Sequence, residues 1–542
     1  MKKVFFLLFI IGFSVSAQRR QKTKEVTVSQ PKLIVGIVVD QMRNDYLYRY
    51  AAKYSAGGFK RLMNEGFTCK NNHYTYAATY TGPGHAHIFN GSQPALSGII
   101  GNEWFDRGLN QSMYVAEDST VSTVGSSNVL AGRMSPKNMK VTSICDQLRL
   151  SNQFQSRTFG VALKDRGSIL PAGHTANAAY WFDTKTGKWI TSTYYMAELP
   201  KWAAEFNDRK RAEELIAHKW TTLLPMDQYT ESEADNQPYE NPILGETTTT
   251  FPHTVKSITA LPTSPFGNTI TKEFALSLIQ NENLGKGTAT DFLTLSFSSP
   301  DYVGHSFGTF SVEMEDVYLR LDKDIEDILN ALDLQLGAGN YTVFLTADHG
   351  AADIPAYLKK NKIPAGLFIG TELKKQFDET IAKEFGPEKW VLAEDNYQIY
   401  LNHDLLKAKN MTVSDFFKRL KPLVIKMEGV YQLVDLNDKM TYLMPDATAD
   451  LIENVNNPKR SGDIMVLLEP AWFSGYAKGT THGTGWAYDT HVPLIFYGAG
   501  ITKGITFEKT AITDIAPTIA ALLAIQEPNG CVGRVIQQVI AK

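Results

Sequence analysis

The chain has 542 residues, of which 43% are hydrophobic and 20% are charged, a composition typical of globular proteins that bury a large core. Its net charge of −3 lacks the basic excess of a nucleic-acid binder, so we expect no nucleic-acid partner. Three cysteines allow one disulfide at most, and no CxxC motif offers a thiolate zinc site. The length fits one large α/β domain with insertions, or two or three domains.

The N-terminus reads as a secretory signal peptide over residues 1–17. Two lysines precede the apolar run Val4–Phe13, and Val15-Ser16-Ala17 offers small residues for cleavage. A membrane anchor is the alternative, but the run is too short for a spanning helix, which needs about 20 apolar residues. We therefore expect a periplasmic or secreted protein with no membrane span, and a monomer.

Apolar, β-branched runs alternate with helical patterns along the chain. Leu33–Val39 is such a run and ends in Asp40, and similar runs precede the polar residues Lys164, Asp301 and Asp348. This alternation predicts an α/β fold with a mostly parallel central sheet covered by helices on both faces. Ligands of such sheets collect beyond the carboxyl ends of the strands, where these polar residues fall.

Two stretches depart from this alternation. Residues 174–260 are aromatic, polar and rich in turns, and residues 355–456 form a separate set of predicted helices and strands. We interpret both as insertions into one catalytic domain spanning residues 18–542. Their position in the chain suggests that they border the active site and shape the pocket for a leaving group.

The segment around Thr81 combines helix-start and backbone-approach signals. Gly82, Pro83 and Gly84 interrupt a β-prone run, and Pro is well tolerated in a first helical turn. Thr81 is thereby predicted at or near a helix N-cap, beside unpaired N–H groups that attract anions. The two glycines would let a ligand approach the backbone closely. An ordinary capped helix is the alternative interpretation.

A set of carboxylates and imidazoles forms the candidate metal centre. This mixture of oxygen and nitrogen donors suits Zn²⁺ better than Mn²⁺ or Fe, and six ligands are enough for two adjacent ions. Two metals about 4 Å apart can hold both the attacking and the leaving oxygen of a phosphoryl transfer. The six residues are Asp40, Asp301, His305, Asp348, His349 and His482.

Taken in order, the motifs resemble those of the alkaline phosphatase superfamily. Within it the chain is similar to the branch of nucleotide pyrophosphatases/phosphodiesterases and PafA-type, phosphate-irrepressible bacterial alkaline phosphatases. The resemblance covers about residues 31 to 536. Its motifs are Asp40 after an apolar strand, TGPGH (81–85), NGSQPALSGI (90–99), PDYVGH (300–305), TADHG (346–350), THG (481–483), HVPLIFYG (491–498) and TDIAPT (513–518).

The resemblance implies two zinc ions and a threonine nucleophile. One zinc would be held by Asp301, His305 and His482, and the other by the remaining three ligands together with Thr81. Thr81 would form a covalent phosphothreonine that water then hydrolyses, because metal coordination makes a threonine alkoxide accessible. Ser97 stands where many relatives have a histidine that is not a ligand, so we expect little consequence.

Three further residues favour a phosphomonoesterase. Asn102 resembles the phosphate-binding asparagine of this branch, and Lys164 and Arg166 resemble the Lys-x-Arg pair of the PafA type. A monoester carries one more negative charge than a diester, and Arg166 can fork onto phosphoryl oxygens while Lys164 supplies a point charge or holds a water. The expected partners are small phosphate monoesters.

Several other functions remain to be weighed. A phosphodiesterase or nucleotide pyrophosphatase with the same two-metal site is the main alternative, and it differs in the roles of Lys164 and Arg166. A sulfatase requires a Cys or Ser in a C/S-x-P-x-R context, whereas His85 occupies the last position here. A cytoplasmic phosphoglycerate mutase conflicts with the signal peptide. A non-catalytic periplasmic binding protein is disfavoured by the intact Thr81.

Overall fold

A computed structural model of the chain describes residues 30–368, 370–475 and 477–541. The predicted signal peptide, residues 1–17, lies outside the described residues. Within the described ranges, no helix is long and apolar enough to cross a membrane. Cys69, Cys145 and Cys531 are all free thiols.

The secondary structure alternates between strands and helices over most of the chain. The strands are β1 Leu33–Val39, β2 Phe67–His73, β3 Glu103–Asp106, β4 Gln111–Tyr114, β5 Thr123–Val124, β6 Thr158–Ala162, β7 Ala178–Asp183, β8 Lys188–Ser192, β9 Lys219–Trp220, β10 His253–Thr254, β11 Asp291–Phe297, β12 Tyr341–Thr346, β13 Gly366–Leu367, β14 Val391–Asp395, β15 Gln398–Leu401, β16 Val430–Asp435, β17 Ile464–Leu468, β18 Trp472–Phe473, β19 Leu494–Gly498 and β20 Gly504–Ala511. The α-helices are α1 Tyr46–Arg49, α2 Phe59–Glu65, α3 Thr81–Asn90, α4 Pro94–Ser97, α5 Ile144–Ser151, α6 Asp165–Ala172, α7 Lys201–Asp208, α8 Arg211–Ile216, α9 Pro265–Asn281, α10 Ser299–Phe307, α11 Val312–Leu336, α12 Pro355–Lys360, α13 Gly370–Phe385, α14 His403–Ala408, α15 Val413–Val424, α16 Asp446–Glu453, α17 Ala487–Thr490 and α18 Ile515–Leu523.

A central sheet of ten strands confirms the predicted fold class. Its order is β20-β2-β19-β12-β1-β11-β6-β7-β8-β5, and the five neighbouring strands from β12 to β7 all run parallel. Every residue of β1 is buried, as expected for a strand covered on both faces. β19 is antiparallel to both of its neighbours.

The strand register places the predicted site residues at one edge of this sheet. Val39 at the end of β1 pairs with Phe297 at the end of β11, and Val38 pairs with Thr346 at the end of β12. The residues that follow these strands therefore emerge side by side. This is the edge where parallel sheets bind their ligands.

The two stretches interpreted as insertions differ in structure. Within residues 174–260, strands β7 and β8 extend the central sheet. The elements that follow in this stretch, α7, α8, β9 and β10, do not belong to the central sheet. Strands β14 to β17 form a separate four-stranded sheet with a hydrophobic core of its own around Phe416 and Leu433. The domain boundaries themselves stay predictions.

One helix expected from the sequence is divided in two. The pattern of residues 46–65 predicts a continuous helix, but the chain forms α1 and α2 with a turn between them. The buried carboxylate of Asp322 accepts hydrogen bonds from the backbone N–H groups of Ser55 (2.6 Å) and Phe59 (2.7 Å). This long-range cap competes with the helical hydrogen bonds and begins α2 at Phe59.

Candidate active site

Two groups of potential metal ligands lie at the carboxyl edge of the central sheet. Asp301, His305 and His482 form the first group, and their ligand atoms lie within 4.8 Å of one another. Asp40, Asp348 and His349 form the second group by the same measure. The tertiary structure thus brings together the six residues that the sequence predicted, in the two sets that the family resemblance implied.

The first group is built on helix α10 and a distant loop. Asp301 and His305 are four residues apart and share one helix face, with 3.1 Å between Asp301 Oδ1 and His305 Nε2. His482 approaches from the loop after β18, with its Nε2 3.6 Å from the same carboxylate oxygen. His482 therefore lies about 180 residues further along the chain than Asp301 and His305.

The second group is built on the ends of two neighbouring strands. Asp40 follows β1, and Asp348 and His349 follow β12. His349 Nε2 lies 3.6 Å from Asp40 Oδ1 and 3.4 Å from Asp348 Oδ2. Adjacent residues of a strand would point to opposite faces, but the chain has left the strand here and both side chains converge.

The donor atoms of both groups suit a divalent cation such as zinc. Asp40 Oδ1, Asp348 Oδ2 and His349 Nε2 are buried and have no hydrogen-bond partner within the described structure. Buried polar atoms without partners are rare and call for an explanation, which a bound cation provides. The second group therefore has unpartnered donor atoms that fit a cation, and each of the two groups offers three potential ligands.

The histidine tautomers point the same way. Each imidazole places Nδ1 near a backbone carbonyl: His305 near Thr480 O (2.8 Å), His482 near Thr79 O (2.7 Å) and His349 near Gly350 O (2.9 Å). An Nδ1–H that donates to a carbonyl leaves the lone pair on Nε2 free to bind a metal. Burial also lowers the pKa of His349 and of His482, which favours the neutral, ligating form.

Lys164 lies between the two groups. Its Nζ donates to Asp40 Oδ2 (2.7 Å) and to Asp301 Oδ2 (2.6 Å), one carboxylate from each group. Burial alone would lower the pKa of Lys164, but the charges of Asp301 and Asp40 outweigh burial and raise it. Lys164 is therefore a permanent cation that partly neutralises three buried carboxylates.

Thr81 is the first residue of α3, the helix whose first turn contacts Asp348 of the second group. Tyr80 occupies the N-cap position that the sequence suggested for Thr81 or its vicinity. Thr81 is 1% exposed, and His85, four residues on, places Nδ1 3.2 Å from Asp348 Oδ2. The first turn of α3, at the positive end of the helix dipole, therefore packs against Asp348 of the second group.

Of the two glycines after Thr81, Gly84 is required for close packing of α3, and ligand approach at both stays a prediction. A Cβ on Gly84 would lie 2.1 Å from the backbone oxygen of Asp348, so only glycine lets α3 pack this close to the end of β12. Gly82 N–H donates to Asn102 Oδ1 at 2.7 Å. This bond fixes the amide of Asn102 and leaves its two N–H donors free for an anion.

Arg166 lies on α6, two residues after Lys164. Its Nη1 donates to Tyr114 Oη at 3.0 Å, and Tyr114 in turn donates to Asp165. Arg166 Nε is buried without a partner within the described structure. Sequence reasoning missed two residues of the site, Tyr114 and Gln41. Gln41 contacts one carboxylate of each ligand group, and its position directly after Asp40 was the one signal in the sequence.

A loop outside the central sheet holds the first ligand group in place. Asn241 N–H donates to Ser306 O next to His305, and Gly479 N–H donates to Tyr239 O, both at 2.8 Å. The same loop carries Glu240, which is 1% exposed. Burial and the charges of Glu313 and Asp235 raise the pKa of Glu240 to about 8.

This raised pKa predicts a specific pH dependence of stability. Between pH 4.5 and 8 the folded protein holds a proton on Glu240 that the unfolded chain releases, so the free energy of unfolding falls as pH rises. Urea titrations at several pH values should show that Glu240→Gln flattens this slope by up to about 1.4 kcal/mol per pH unit. The exposed Glu205→Gln should leave the slope unchanged; an identical slope in both variants would contradict the prediction.

Comparison with known proteins places the site in a family. The family model "Type I phosphodiesterase / nucleotide pyrophosphatase" matches residues 34–492. The carboxylates and imidazoles at the edge of the parallel sheet form a candidate two-metal site. The range matched by the family model includes all six of these residues. The chain belongs to the type I phosphodiesterase/nucleotide pyrophosphatase family.

Three relatives match almost the whole chain. A protein named calcium-transporting ATPase from Myroides odoratus is 46% identical over 95% of both chains. Alkaline phosphatase PafA from Elizabethkingia meningoseptica is 43% identical over 98% of this chain and 99% of its own. Alkaline phosphatase PhoV from Synechococcus elongatus is 42% identical over 99% of both chains.

Solved structures confirm the fold. The crystal structure of wild-type PafA matches with a TM-score of 0.92 and 44% identity, covering 95% of this chain and 100% of PafA. A PafA variant substituted at one threonine, one asparagine, one lysine and one arginine also matches, with a TM-score of 0.92 and 43% identity over the same shares. Murine ectonucleotide pyrophosphatase/phosphodiesterase 5 shares the fold at 14% identity and a TM-score of 0.52.

Proposed function

We propose that this protein is an alkaline phosphatase that hydrolyses phosphate monoesters at a site holding two zinc ions. The observation that carries the proposal is that Lys164, one of the set Thr81, Asn102, Lys164 and Arg166, bonds one carboxylate of each ligand group. The four positions substituted in the PafA variant have the same residue types and the same spacings along the chain as these four residues. The names and whole-length similarity of PafA and PhoV support the same activity.

Thr81 is the proposed nucleophile. Its hydroxyl sits at the N-terminus of α3, where the helix dipole favours negative charge on the oxygen and on the incoming phosphoryl group. Attack on phosphorus forms the Thr81 O–P bond and breaks the bond to the leaving oxygen. Water then attacks the phosphothreonine and releases inorganic phosphate.

The chain's other residues bind and orient the phosphoryl group. Asn102 presents its N–H donors because its oxygen is already engaged by Gly82 N–H. Arg166 is oriented by Tyr114 and supplies a planar fork of donors for two phosphoryl oxygens. Lys164 adds positive charge between Asp40 of the second ligand group and Asp301 of the first.

Two zinc ions would occupy the two ligand groups. Zinc supplies Lewis acidity: it lowers the pKa of a bound hydroxyl and stabilises negative charge on oxygen during phosphoryl transfer. Asp301, His305 and His482 would hold one ion, and Asp40, Asp348 and His349 the other, with Thr81 adjacent to the second. The three carboxylates and three imidazoles are ligand types that Zn²⁺ prefers.

We also propose secretion to the periplasm or the medium. The support is the sequence pattern of residues 1–17, in which two lysines precede a short apolar run and small residues. The second candidate activity is phosphodiester hydrolysis, which the description of the matching family favours. It uses the same metals and the same threonine, so only substrate preference separates the two.

The deciding experiment compares kcat/KM for an aryl phosphate monoester and the matching diester on zinc-loaded protein, before and after chelation. A strong monoester preference that disappears on chelation and returns with zinc is the expected result. A diester preference would move the protein to the phosphodiesterase activity while keeping the site. Hydrolysis that survives complete chelation would contradict the metal-dependent mechanism.

Arg166→Ala sharpens this test. A hydrogen bond to a charged group contributes about 1.5–3 kcal/mol, so we expect kcat/KM for the monoester to fall roughly 10- to 150-fold. The diester, which carries one negative charge fewer, should lose less. The exposed Arg209→Ala is the matched control and should change neither value; equal losses on both substrates in Arg166→Ala would show that Arg166 does not read the extra charge.

A further inference from the structure

Gln41 is a buried residue that contacts both ligand groups. It directly follows Asp40 and is 1% exposed. Its backbone N–H donates to Asp348 Oδ1 at 3.1 Å, and its side-chain Nε2 donates to Asp301 Oδ1 at 2.6 Å. A single residue therefore bonds one carboxylate of the second group and one of the first, and is covalently joined to a third.

The conformation of Gln41 is unfavourable for its residue type. Its φ of 65° lies in the left-handed region, which glycine and asparagine adopt far more readily than glutamine. Such conformations persist where the surrounding structure enforces them and cluster at functional sites. Here the left-handed turn directs the backbone N–H and the side chain of Gln41 toward different carboxylates.

The Gln41 side chain is also confined sterically. Its Oε1 lies so close to helix α10 that a Cβ on Gly304 would be 1.9 Å from it. Gly304 lies between the two ligands that α10 carries, Asp301 and His305. The amide of Gln41 thus packs against the backbone of α10, in space that only a glycine at position 304 leaves open.

The hydrogen bonds of Asp301 show what Gln41 contributes. Lys164 occupies Oδ2 at 2.6 Å, and Gln41 occupies one lone pair of Oδ1. The remaining lone pair of Oδ1 faces the imidazoles of His305 and His482, at 3.1 and 3.6 Å from their Nε2 atoms. Without the Gln41 amide, Lys164 still holds Oδ2, but Oδ1 loses the hydrogen bond that fixes its position relative to the two histidines.

We infer that Gln41 is a positioning residue that fixes the Asp301 carboxylate and so sets the metal affinity of the first ligand group. The inference rests on the proposed two-zinc function. It is specific in direction: the side chain acts on the first group, whereas the contact with the second group uses the backbone N–H, which any residue at this position retains. Loss of the side chain should therefore weaken one metal site and spare the other.

The test is Gln41→Gly, which removes the amide and suits the left-handed φ. Zinc-loaded protein is titrated with a chromophoric chelator, and the released zinc is counted. We expect one of the two ions to leave at a 10- to 100-fold lower chelator concentration than in the unsubstituted protein, the usual effect of removing a partner of a metal ligand. The other ion should leave at the unchanged concentration.

Controls separate this effect from relief of backbone strain. Lys210→Gly replaces an exposed residue with a φ of 52° and should leave both release steps unchanged. Gln41→Asn tolerates the left-handed region but is one methylene shorter, so it should behave like Gln41→Gly. Cobalt substitution gives a second readout, since the visible absorption of one of the two Co²⁺ ions should shift in both Gln41 variants.

Unchanged release of both ions and an unchanged cobalt spectrum in the Gln41 variants would overturn the inference and leave the proposed function standing. Equal weakening of both ions would also overturn it, because the side chain would then not act selectively on the first group. Failure of the unsubstituted protein to bind two metal ions would instead overturn the two-zinc function on which the inference rests.

Discussion

Thr81→Ala is expected to reduce kcat/KM for phosphate monoesters by roughly 10³- to 10⁶-fold, the range seen when a catalytic nucleophile is removed. The substitution deletes the only hydroxyl that the proposed mechanism uses to form the covalent intermediate. It should cost little stability, because alanine is acceptable at the first position of a helix and no helical hydrogen bond depends on the side chain.

Two comparisons make the Thr81 result interpretable. Thr81→Ser keeps a hydroxyl at the same position and should retain much more activity than alanine. Thr342→Ala removes an equally buried threonine on β12, and it should leave turnover nearly unchanged. A Thr81→Ala variant within about tenfold of full activity, with both metals bound, would refute the assignment of the nucleophile.

Asp40→Asn is expected to remove most of the stabilisation that zinc gives to the folded protein. A site filled at 1,000 times its Kd adds about 4 kcal/mol to the free energy of unfolding. Asp40 supplies an unpartnered anionic oxygen to the second group, which a neutral amide cannot replace as a ligand. Denaturant titrations with and without chelator should therefore differ less for this variant, and turnover should be lost.

The metal-free state provides the complementary result. Three buried carboxylates surround Lys164 there, so removing one negative charge relieves repulsion and should leave Asp40→Asn at least as stable as the unsubstituted protein after chelation. Asp227→Asn, on an exposed turn, should follow the unsubstituted protein with and without metal. An Asp40→Asn variant that keeps the full zinc-dependent stabilisation would contradict the assignment of Asp40 as a ligand.

The sequence predicted the fold class and the members of the ligand groups because these depend on local patterns. Buried parallel strands are continuous apolar runs, and in this chain a carboxylate follows within four residues of the end of β1, β11 and β12. Asp40, Asp301 and Asp348 could therefore be placed at one edge of the sheet without coordinates. The four-residue spacing of Asp301 and His305 fits one helix face or a tight loop, and the structure places both residues on α10.

Long-range contacts decided the remaining features. The division of α1 from α2 depends on Asp322, more than 250 residues away, and the need for glycine at position 84 depends on the backbone of Asp348. Lys164 was predicted to face a phosphoryl group, and only the structure revealed that it also joins Asp40 and Asp301.

By itself, the sequence determined which residue types stand at the ends of the strands, and hence the fold class and the chemistry of the donor set. The tertiary structure decided how those donors are held: the contacts of the histidine Nδ1 atoms with backbone carbonyls, the position of Lys164 between Asp40 and Asp301, and the left-handed backbone of Gln41. Apolar periodicity depends on residues that are neighbours in the sequence. Hydrogen bonds between side chains of distant strands and helices form only once the sheet has assembled.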